Sequence, residues 1–299
     1  MKILLTGKDG QLGSRLEEDL KVTYEVIATN REALNLEDFQ LVKLRTYQIQ
    51  PDLIVNTAAY TDVDNAEKEK RLAYKINALA PKALSHVAKE LDIPIIHVST
   101  DYVFDGSKKD SYLEDDQVNP LSFYGKTKGR GEDFIRQAPK HFILRTSWIF
   151  SSRGPNFLQK IVKLAQERSS LKVVDDQWGS PTSVNTISIA IQAIIHTLNQ
   201  QNNSNIYGTY HISSYGKTNR YLYVNKILDF LGDLNIEVKL KKDYLIPVSS
   251  SQYPQVATRP KNPILNTTKF KKTFMIKLPR WEDDIFLCLA SVSNKKHRE

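Results

Sequence analysis

The chain of 299 residues is 40% hydrophobic and 25% charged, which is typical of a globular protein with one large core or two coupled domains. Its net charge of +8 suits anionic ligands such as nucleotides and diphosphates, whereas the scatter of its basic residues argues against a nucleic-acid-binding surface. No apolar run reaches the length of a membrane span, the first residues do not resemble a secretory signal, and the single cysteine, Cys288, excludes an internal disulfide. We therefore expect a cytoplasmic protein with no nucleic-acid or membrane partner.

A short apolar strand, Lys2–Thr6, runs directly into a glycine-rich turn at the N-terminus. Gly7, Gly10 and Gly13 follow the spacing G-x-x-G-x-x-G, and an amphipathic helix is predicted from about residue 11 to 20. Strand, glycine turn and helix in this order are the context of a dinucleotide-binding site, where the helix N-terminus faces the pyrophosphate. A tight turn without a ligand is the alternative.

The second predicted strand, residues 25–29, ends in Asn30 and Arg31. An acid that binds the ribose 2′-hydroxyl of NAD is expected about twenty residues after Gly10, but the acid is absent here. Because a guanidinium can pair with a 2′-phosphate, this pair of residues favours NADPH, with NADH still possible. A solvated Arg31 is the alternative. Asn35 is predicted to cap a helix that runs to about residue 47.

The third and fourth predicted strands, residues 52–59 and 94–100, have apolar centres and polar or small residues at their carboxyl ends. Ligands of open α/β sheets bind at those ends. The small residues let a cofactor lie close, and the hydroxyls near Thr100 are placed to act on a substrate. His97 is interpreted as a buried core histidine. Between the two strands, a long helical pattern over residues 63–91 is expected to break or kink at Pro81.

A tyrosine and a lysine, Tyr124 and Lys128, stand four residues apart on a helix predicted from about residue 124 to 136. Residues at i and i+4 share a helix face, so the phenol and the ammonium would point the same way. An adjacent cation lowers the pKa of a phenol, which would allow Tyr124 to exchange a proton with a carbonyl or carbinol oxygen. The spacing is common by chance, and a solvated helix face is the alternative.

A fifth strand, His141–Thr146, completes a series of βα units that predicts a doubly wound parallel sheet. We assign residues 1–150 to a dinucleotide-binding domain to which residues of about 171–200 return. Residues 151–299 mainly form a small lobe that closes a cleft. The second half is predicted to contain helices at 155–168, 183–200 and 220–231, strands at 171–174 and 208–212, and a polar loop at 201–205.

Several motifs in fixed order resemble those of the dTDP-4-dehydrorhamnose reductase family, which belongs to the extended short-chain dehydrogenases/reductases. They are the segments 6–13, 55–61, 99–106, 124–128, 145–148, 176–182 and 257–260. The pair Ser-Thr-Asp-Tyr-Val-Phe and Tyr-Gly-Lys-Thr-Lys is the most specific. The resemblance implies a Rossmann-type doubly wound parallel sheet with a small C-terminal substrate-binding lobe. It also implies NAD(P)H-dependent reduction of the C4 ketone of a dTDP-sugar, dTDP-4-dehydro-L-rhamnose, in polysaccharide biosynthesis.

Carried over residue by residue, the resemblance assigns Thr100 to a hydrogen bond with the C4 oxygen and Tyr124 to the protonation of that oxygen. It assigns Lys128 to the nicotinamide ribose and to the lowering of the Tyr124 pKa. The implied cofactor-binding set also contains Gly7, Gly10, Gln11, Leu12, Asn30, Arg31, Asn35, Leu36, Ala58, Ala59, Tyr60, Thr61 and Asn77. The implied substrate-binding set contains Thr100, Asp101, Tyr102, Trp148 and Arg259, the last as a diphosphate partner.

Two positions depart from the family pattern. Arg15 stands where some members carry one of the glutamates that link a dimer through a metal. We therefore expect no bound metal. If the protein forms a homodimer, we expect a dimer without that metal link. Arg220 stands where a tryptophan is frequent. Two alternatives remain: a reductase of another nucleotide 4-keto-6-deoxy sugar, with a talose- or fucose-type product, and a non-catalytic NADP-binding protein that resembles the regulatory subunit of methionine adenosyltransferase.

Overall fold

The computed structural model describes residues 1–200, 206–253 and 255–296, so the polar loop predicted at 201–205 lies outside the described residues. The first half alternates strands and helices along the chain. Its elements are β1 Lys2–Thr6, α1 Gln11–Leu20, β2 Glu25–Thr29, α2 Phe39–Ile49, β3 Leu53–Asn56, α3 Lys70–Tyr74, a π-helical turn Lys75–Leu79, α4 Ala80–Glu90, β4 Ile95–Thr100, α5 Phe123–Ile135 and β5 His141–Thr146.

The second half has shorter strands and longer connections. Its elements are β6 Ile149–Phe150, α6 Phe157–Glu167, β7 Leu171–Val174, β8 Trp178–Gly179, β9 Thr182–Ser183, α7 Val184–Asn199, β10 Gly208–His211, β11 Thr218–Asn219, α8 Arg220–Asp233, β12 Leu245–Val248, α9 Thr268–Phe274 and α10 Trp281–Lys296. Within the described residues, no helix has both the length and the apolar character that crossing a bilayer requires.

Six parallel strands form the central sheet in the order β10-β5-β4-β3-β1-β2. The chain moves from β1 outward to β2 and then returns past β1 to β3, so its direction of travel reverses beside β1. Ligands of such sheets bind in the crevice outside the carboxyl ends of the strands at this reversal. The predicted doubly wound Rossmann-type parallel sheet is therefore confirmed.

Apolar side chains cover both faces of the sheet. On one face α1 and α7 pack together, with Leu16 and Ile191 fully buried between them and the strands. On the other face α2 and α4 bury Val42 and Leu84. A separate core, which includes Phe150, joins α6, α8, α10 and the parallel pair β7–β12 into the second lobe.

Two local predictions about helix ends need correction. The Asn35 carboxamide does not cap α2, because it accepts from the Glu37 amide in a turn at 3.1 Å. The cap is Asp38, whose carboxylate accepts from the amides of Gln40 and Leu41 at 3.0 Å each. Pro81 does not break the helix; it lies in the first turn of α4, where its missing N–H removes little, and the preceding residues form the π-helical turn.

A buried ion pair attaches α5 to the sheet. Glu132 and Arg145 are 0% and 1% exposed, and their charged groups lie 2.7 Å apart. The Ser99 hydroxyl donates to the same carboxylate at 2.6 Å, which joins α5 to both β4 and β5. Burial by itself would raise the pKa of Glu132, but the Arg145 guanidinium holds it below its usual value. This network therefore sets the helix that carries Tyr124 against the strand that ends in Thr100.

We expect Arg145→Met to lower the free energy of unfolding by about 3 kcal/mol, because it leaves a carboxylate buried without its main partner. Arg136, on the helix surface, also pairs with the Glu132 carboxylate at 2.8 Å. This remaining pair keeps the loss of unfolding free energy at the lower end of the usual range. Urea unfolding measures the change. The control is Lys163→Met, which removes an exposed ion pair to Glu167 and should cost less than about 1 kcal/mol. Equal losses for the two variants would contradict the prediction.

Candidate active site

A cleft of about 760 Å³ runs along the carboxyl ends of the sheet strands toward the second lobe. It brings together most of the residues that the sequence predicted for a cofactor and substrate. Those that line it are Gly7, Gly10, Gln11, Leu12, Asn30, Arg31, Asn35, Leu36, Ala58, Ala59, Thr61, Thr100, Asp101, Tyr102, Tyr124 and Trp148. Their individual roles remain predictions.

The glycine turn places the N-terminus of α1 at one end of the cleft. Gly7 has a φ of 82°, and a Cβ on it would lie 2.9 Å from the backbone of Ala58, which follows β3. A Cβ on Gly13 would lie 2.0 Å from the Gly7 carbonyl oxygen, so the helix can approach the turn only with glycine there. Within the described chain, no side chain caps α1 at Gly10. Its first amides therefore suit an anion such as a pyrophosphate.

The Gln11 side chain fixes the loop before α6 rather than facing a ligand. Its carboxamide oxygen accepts from the Ser151 hydroxyl at 2.8 Å and from the Asn156 carboxamide at 3.1 Å. These contacts bring residues 153–155 over the end of α1, where they line the cleft. Only the backbone of Gln11 is left for the predicted phosphate contact.

Arg31 lies at the far end of the part of the cleft that is predicted to hold the cofactor. It forms an ion pair that the sequence analysis missed. Its guanidinium lies 2.5 Å from the Glu37 carboxylate, with the two side chains 76% and 26% exposed. Both residues line the cleft beside Asn30 and Asn35. A 2′-phosphate bound by Arg31 would compete with Glu37. An acid six residues after Arg31, just before a helix cap, was the signal in the sequence.

Thr100 and Tyr124 meet in the middle of the cleft. Thr100 ends β4 and is 6% exposed, and Tyr124 lies in the first turn of α5 and is 9% exposed. Ser122 caps α5 by accepting from the Gly125 amide at 3.1 Å, which fixes the start of the helix. Burial raises the pKa of Tyr124, while the Thr100 hydroxyl opposes the shift. The prediction that this pKa is lowered is therefore wrong for this arrangement.

Lys128 lies directly behind Tyr124 and does not line the cleft. Its Nζ donates to the Val98 carbonyl oxygen at 2.7 Å and is 3.5 Å from Nε2 of His97. Burial lowers the pKa of Lys128 to about 8, and the Glu132 carboxylate opposes that shift. His97 is fully buried, with Nδ1 2.9 Å from the Asn56 carboxamide, so its interpretation as a satisfied core histidine is confirmed.

Three other predicted residues also lie outside the cleft lining. Asn77 is fully buried and binds the backbone of Tyr60 in both directions, at 2.8 and 3.0 Å, while the Tyr60 hydroxyl donates to Glu69. Arg259 donates to both carboxylate oxygens of Asp64, at 2.9 and 2.6 Å. That pairing lowers the pKa of Asp64 to about 2, so the Arg259 charge already has a partner.

The predicted substrate end of the cleft is built around Trp148. This residue has a φ of 45°, in the left-handed region, which is uncommon for an aromatic residue. Its ring packs on Gly179, where a Cβ would lie 2.3 Å from the indole. Arg220, which sequence reasoning noted only as a departure, covers the ring with its guanidinium 3.5 Å from the ring centroid.

Comparison with known proteins decides the family. A family model described as the RmlD substrate binding domain matches residues 1–294. The dTDP-4-dehydrorhamnose reductase of Sinorhizobium fredii is 37% identical over 287 residues, 95% of each chain. The chain belongs to the dTDP-4-dehydrorhamnose reductase family.

Crystal structures of this reductase family have the same fold over the full length. The structure of a dTDP-4-dehydrorhamnose reductase from Clostridium acetobutylicum matches with a TM-score of 0.89 at 34% identity, covering 98% of this chain and 99% of that one. The structure of the Bacillus anthracis dTDP-4-dehydrorhamnose reductase in complex with NADP matches with a TM-score of 0.88 at 33% identity, covering 97% and 99%.

The depressed pKa of Lys128 gives a pH dependence of stability with a defined sign. Between about pH 8 and the ordinary lysine pKa of 10.5, the unfolded chain holds this proton and the folded chain does not. Stability from this residue should therefore rise with pH across that window, by at most about 1.4 kcal/mol per pH unit. The measurement is the difference in unfolding free energy between the native protein and Lys128→Met at several pH values. Lys163→Met, at an exposed site, should show no such trend, and a Lys128 difference that stays flat would contradict the assignment.

Release of Arg31 from its carboxylate should shift cofactor preference. We expect Glu37→Gln to raise the ratio of NADPH affinity to NADH affinity by about 2- to 5-fold, since an exposed ion pair contributes up to about 1 kcal/mol. Fluorescence titration of both nucleotides measures the ratio. Glu167→Gln removes the same charge on α6 and should leave the ratio unchanged. A fall in the ratio for Glu37→Gln would show that Glu37 does not compete for Arg31.

Proposed function

We propose that this protein reduces the C4 ketone of dTDP-4-dehydro-L-rhamnose to dTDP-L-rhamnose with NADPH, and that NADH can substitute. The observation that carries the proposal is the meeting of Thr100 and Tyr124 in a cleft that begins at the amide-lined N-terminus of α1. A dinucleotide held by that helix end and a sugar held near Trp148 would both reach this point. Family membership supports the same reaction.

The residues of the cofactor half fit a phosphorylated dinucleotide. The amides of Gln11 and Leu12 at the start of α1 would bind the pyrophosphate, and Arg31 would bind the 2′-phosphate in place of Glu37. When bound, NADPH supplies the hydride. To bind the nicotinamide ribose, the Lys128 ammonium would turn toward the cleft from its present contact with the Val98 carbonyl oxygen.

Tyr124 is suited to donate a proton rather than to lose one beforehand. Because burial raises its pKa, the phenol is protonated throughout the neutral range. It would give that proton to the C4 oxygen as negative charge develops there. Thr100 would donate a second hydrogen bond to the same oxygen; in the structure its hydroxyl donates to Asp101 at 3.1 Å.

Asp101, Tyr102 and Trp148 would hold the sugar ring beside the two hydroxyls. The Asp101 carboxylate is fixed by the Ser147 hydroxyl at 2.8 Å, and the Tyr102 ring packs edge-on against Tyr124 at 5.5 Å between centroids. Such fixed partners would select which face of the ketone receives the hydride. We propose a cytoplasmic location, which a chain with the single cysteine Cys288 and no disulfide fits. The second lobe would act as the substrate-binding lobe.

A homodimer without a glutamate-held metal remains our proposal for the assembly. Arg15, at the position that would have to supply a ligand, pairs with Asp19 on the same helix at 2.8 Å. A cation there disfavours a metal ion. Sedimentation in the presence and absence of a chelator would test the proposal.

Tyr124→Phe should reduce turnover by about 100- to 10,000-fold, because the proton donor is lost while the shape of the ring is kept. NADPH affinity should change less than twofold. The assay follows NADPH oxidation after addition of dTDP-4-dehydrorhamnose, with NMR of the product to exclude a talose- or fucose-type sugar. Tyr244→Phe, at an exposed position outside the cleft lining, is the control. Normal turnover by Tyr124→Phe would remove Tyr124 from the mechanism.

A further inference from the structure

Arg220 is the first residue of α8, and its side chain is held by aromatic rings. Asn219 caps this helix by accepting from the Leu222 amide at 2.8 Å, which fixes the backbone of its first turn. The guanidinium lies 3.5 Å from the centroid of Trp148 and 4.6 Å from that of Phe157. Stacking of this kind orients a planar cation and leaves its N–H groups available at the edge.

The charge of Arg220 has no ion-pair partner within 4.0 Å among the residues that the structure describes. Other arginines at the cleft differ in this respect: Arg31 pairs with Glu37, and Arg153 pairs with Glu18. Arg259, which the sequence analysis selected for the diphosphate, pairs with Asp64.

An acidic group at this end of the cleft, Asp101, is a weak counterion for Arg220. Asp101 also lines the cleft, but its carboxylate is engaged by Ser147 at 2.8 Å and Thr100 at 3.1 Å. Burial raises its pKa to about 6. A partly buried guanidinium without a close carboxylate is costly unless an anion pairs with it, which indicates a ligand anion as its partner.

We infer that Arg220 binds the diphosphate of the nucleotide-sugar substrate. The inference rests on the proposed function, because the diphosphate is the only anionic group of such a substrate. Arg220 lines the same cleft as Thr100 and Tyr124, and the N-terminus of α8 adds partial positive charge at the same point. A guanidinium can donate two parallel hydrogen bonds to phosphate oxygens.

The test is binding of dTDP and of thymidine to the NADPH-saturated protein, measured by calorimetry. Thymidine lacks the diphosphate and reports on the rest of the nucleotide pocket. Arg220→Met should weaken dTDP binding about 10- to 100-fold and leave thymidine binding within twofold. Arg220→Lys keeps the charge without the planar fork and should restore part of the loss. Arg280→Met, an exposed arginine of the second lobe paired with Glu282, should behave like the native protein.

Three outcomes would overturn the inference. If dTDP affinity is unchanged in Arg220→Met, Arg220 does not bind the phosphates. If dTDP and thymidine affinities fall equally in both Arg220 variants, the residue only shapes the pocket. If a separate titration of the cofactor-free Arg220→Met variant shows that NADPH affinity falls while dTDP affinity does not, the guanidinium serves the cofactor.

The proposed function is tested by a different measurement from the role of Arg220, so each can fail without the other. Absence of NADPH oxidation with dTDP-4-dehydrorhamnose in the native protein would refute the reaction, whatever the dTDP titrations give. Normal oxidation together with Arg220-independent dTDP binding would refute only the role of Arg220.

Discussion

The ion pair between Glu132 and Arg145 is the constraint on which the active-site geometry depends. It is buried, and the Ser99 hydroxyl completes it, so one network joins α5 to β4 and β5. Attraction is only part of what keeps such a pair together. Separating its members would leave a charge unpaired in the interior, which is strongly destabilising. Thr100 follows Ser99 on the strand, and Tyr124 lies two turns before Glu132 on the helix. The pair thus fixes the two hydroxyls relative to each other.

Positive charge along the cleft is distributed unevenly, and the difference lies in the partners. Arg31 and Arg153 each have a carboxylate, whereas Arg220 has aromatic rings and no carboxylate within 4.0 Å in the described chain. A paired cation must give up its carboxylate to bind a ligand phosphate. The free energy of that lost ion pair offsets part of the free energy of phosphate binding. A stacked cation has no carboxylate to exchange. Net basic charge alone does not distinguish the two situations.

Burial has opposite effects on the two groups of the Tyr-Lys pair. It raises the pKa of Tyr124 and lowers that of Lys128, so both groups favour their neutral forms. Sequence spacing had suggested a phenol made acidic by its neighbour. In the structure the ammonium donates to the Val98 carbonyl behind the helix, and the phenol faces the cleft. The arrangement suits a tyrosine that keeps its proton until an oxyanion develops nearby.

Local patterns in the sequence determined the order of strands and helices, the glycine turn and the doubly wound sheet, because these depend on periodicity, backbone freedom and the connection rules of parallel strands. They also selected most of the residues that line the cleft, since carboxyl ends of parallel strands meet at one edge. Only the tertiary structure decided the partners of each charge: Asp64 for Arg259, Glu37 for Arg31, and the rings of Trp148 and Phe157 for Arg220. The Asp64–Arg259 pair and the stacking on Arg220 join residues that are far apart in the sequence, whereas Arg31 and Glu37 lie six residues apart in one connection, where the sequence shows the acid but not the contact. How strongly each charge interacts depends on burial and distance, which a sequence pattern does not contain.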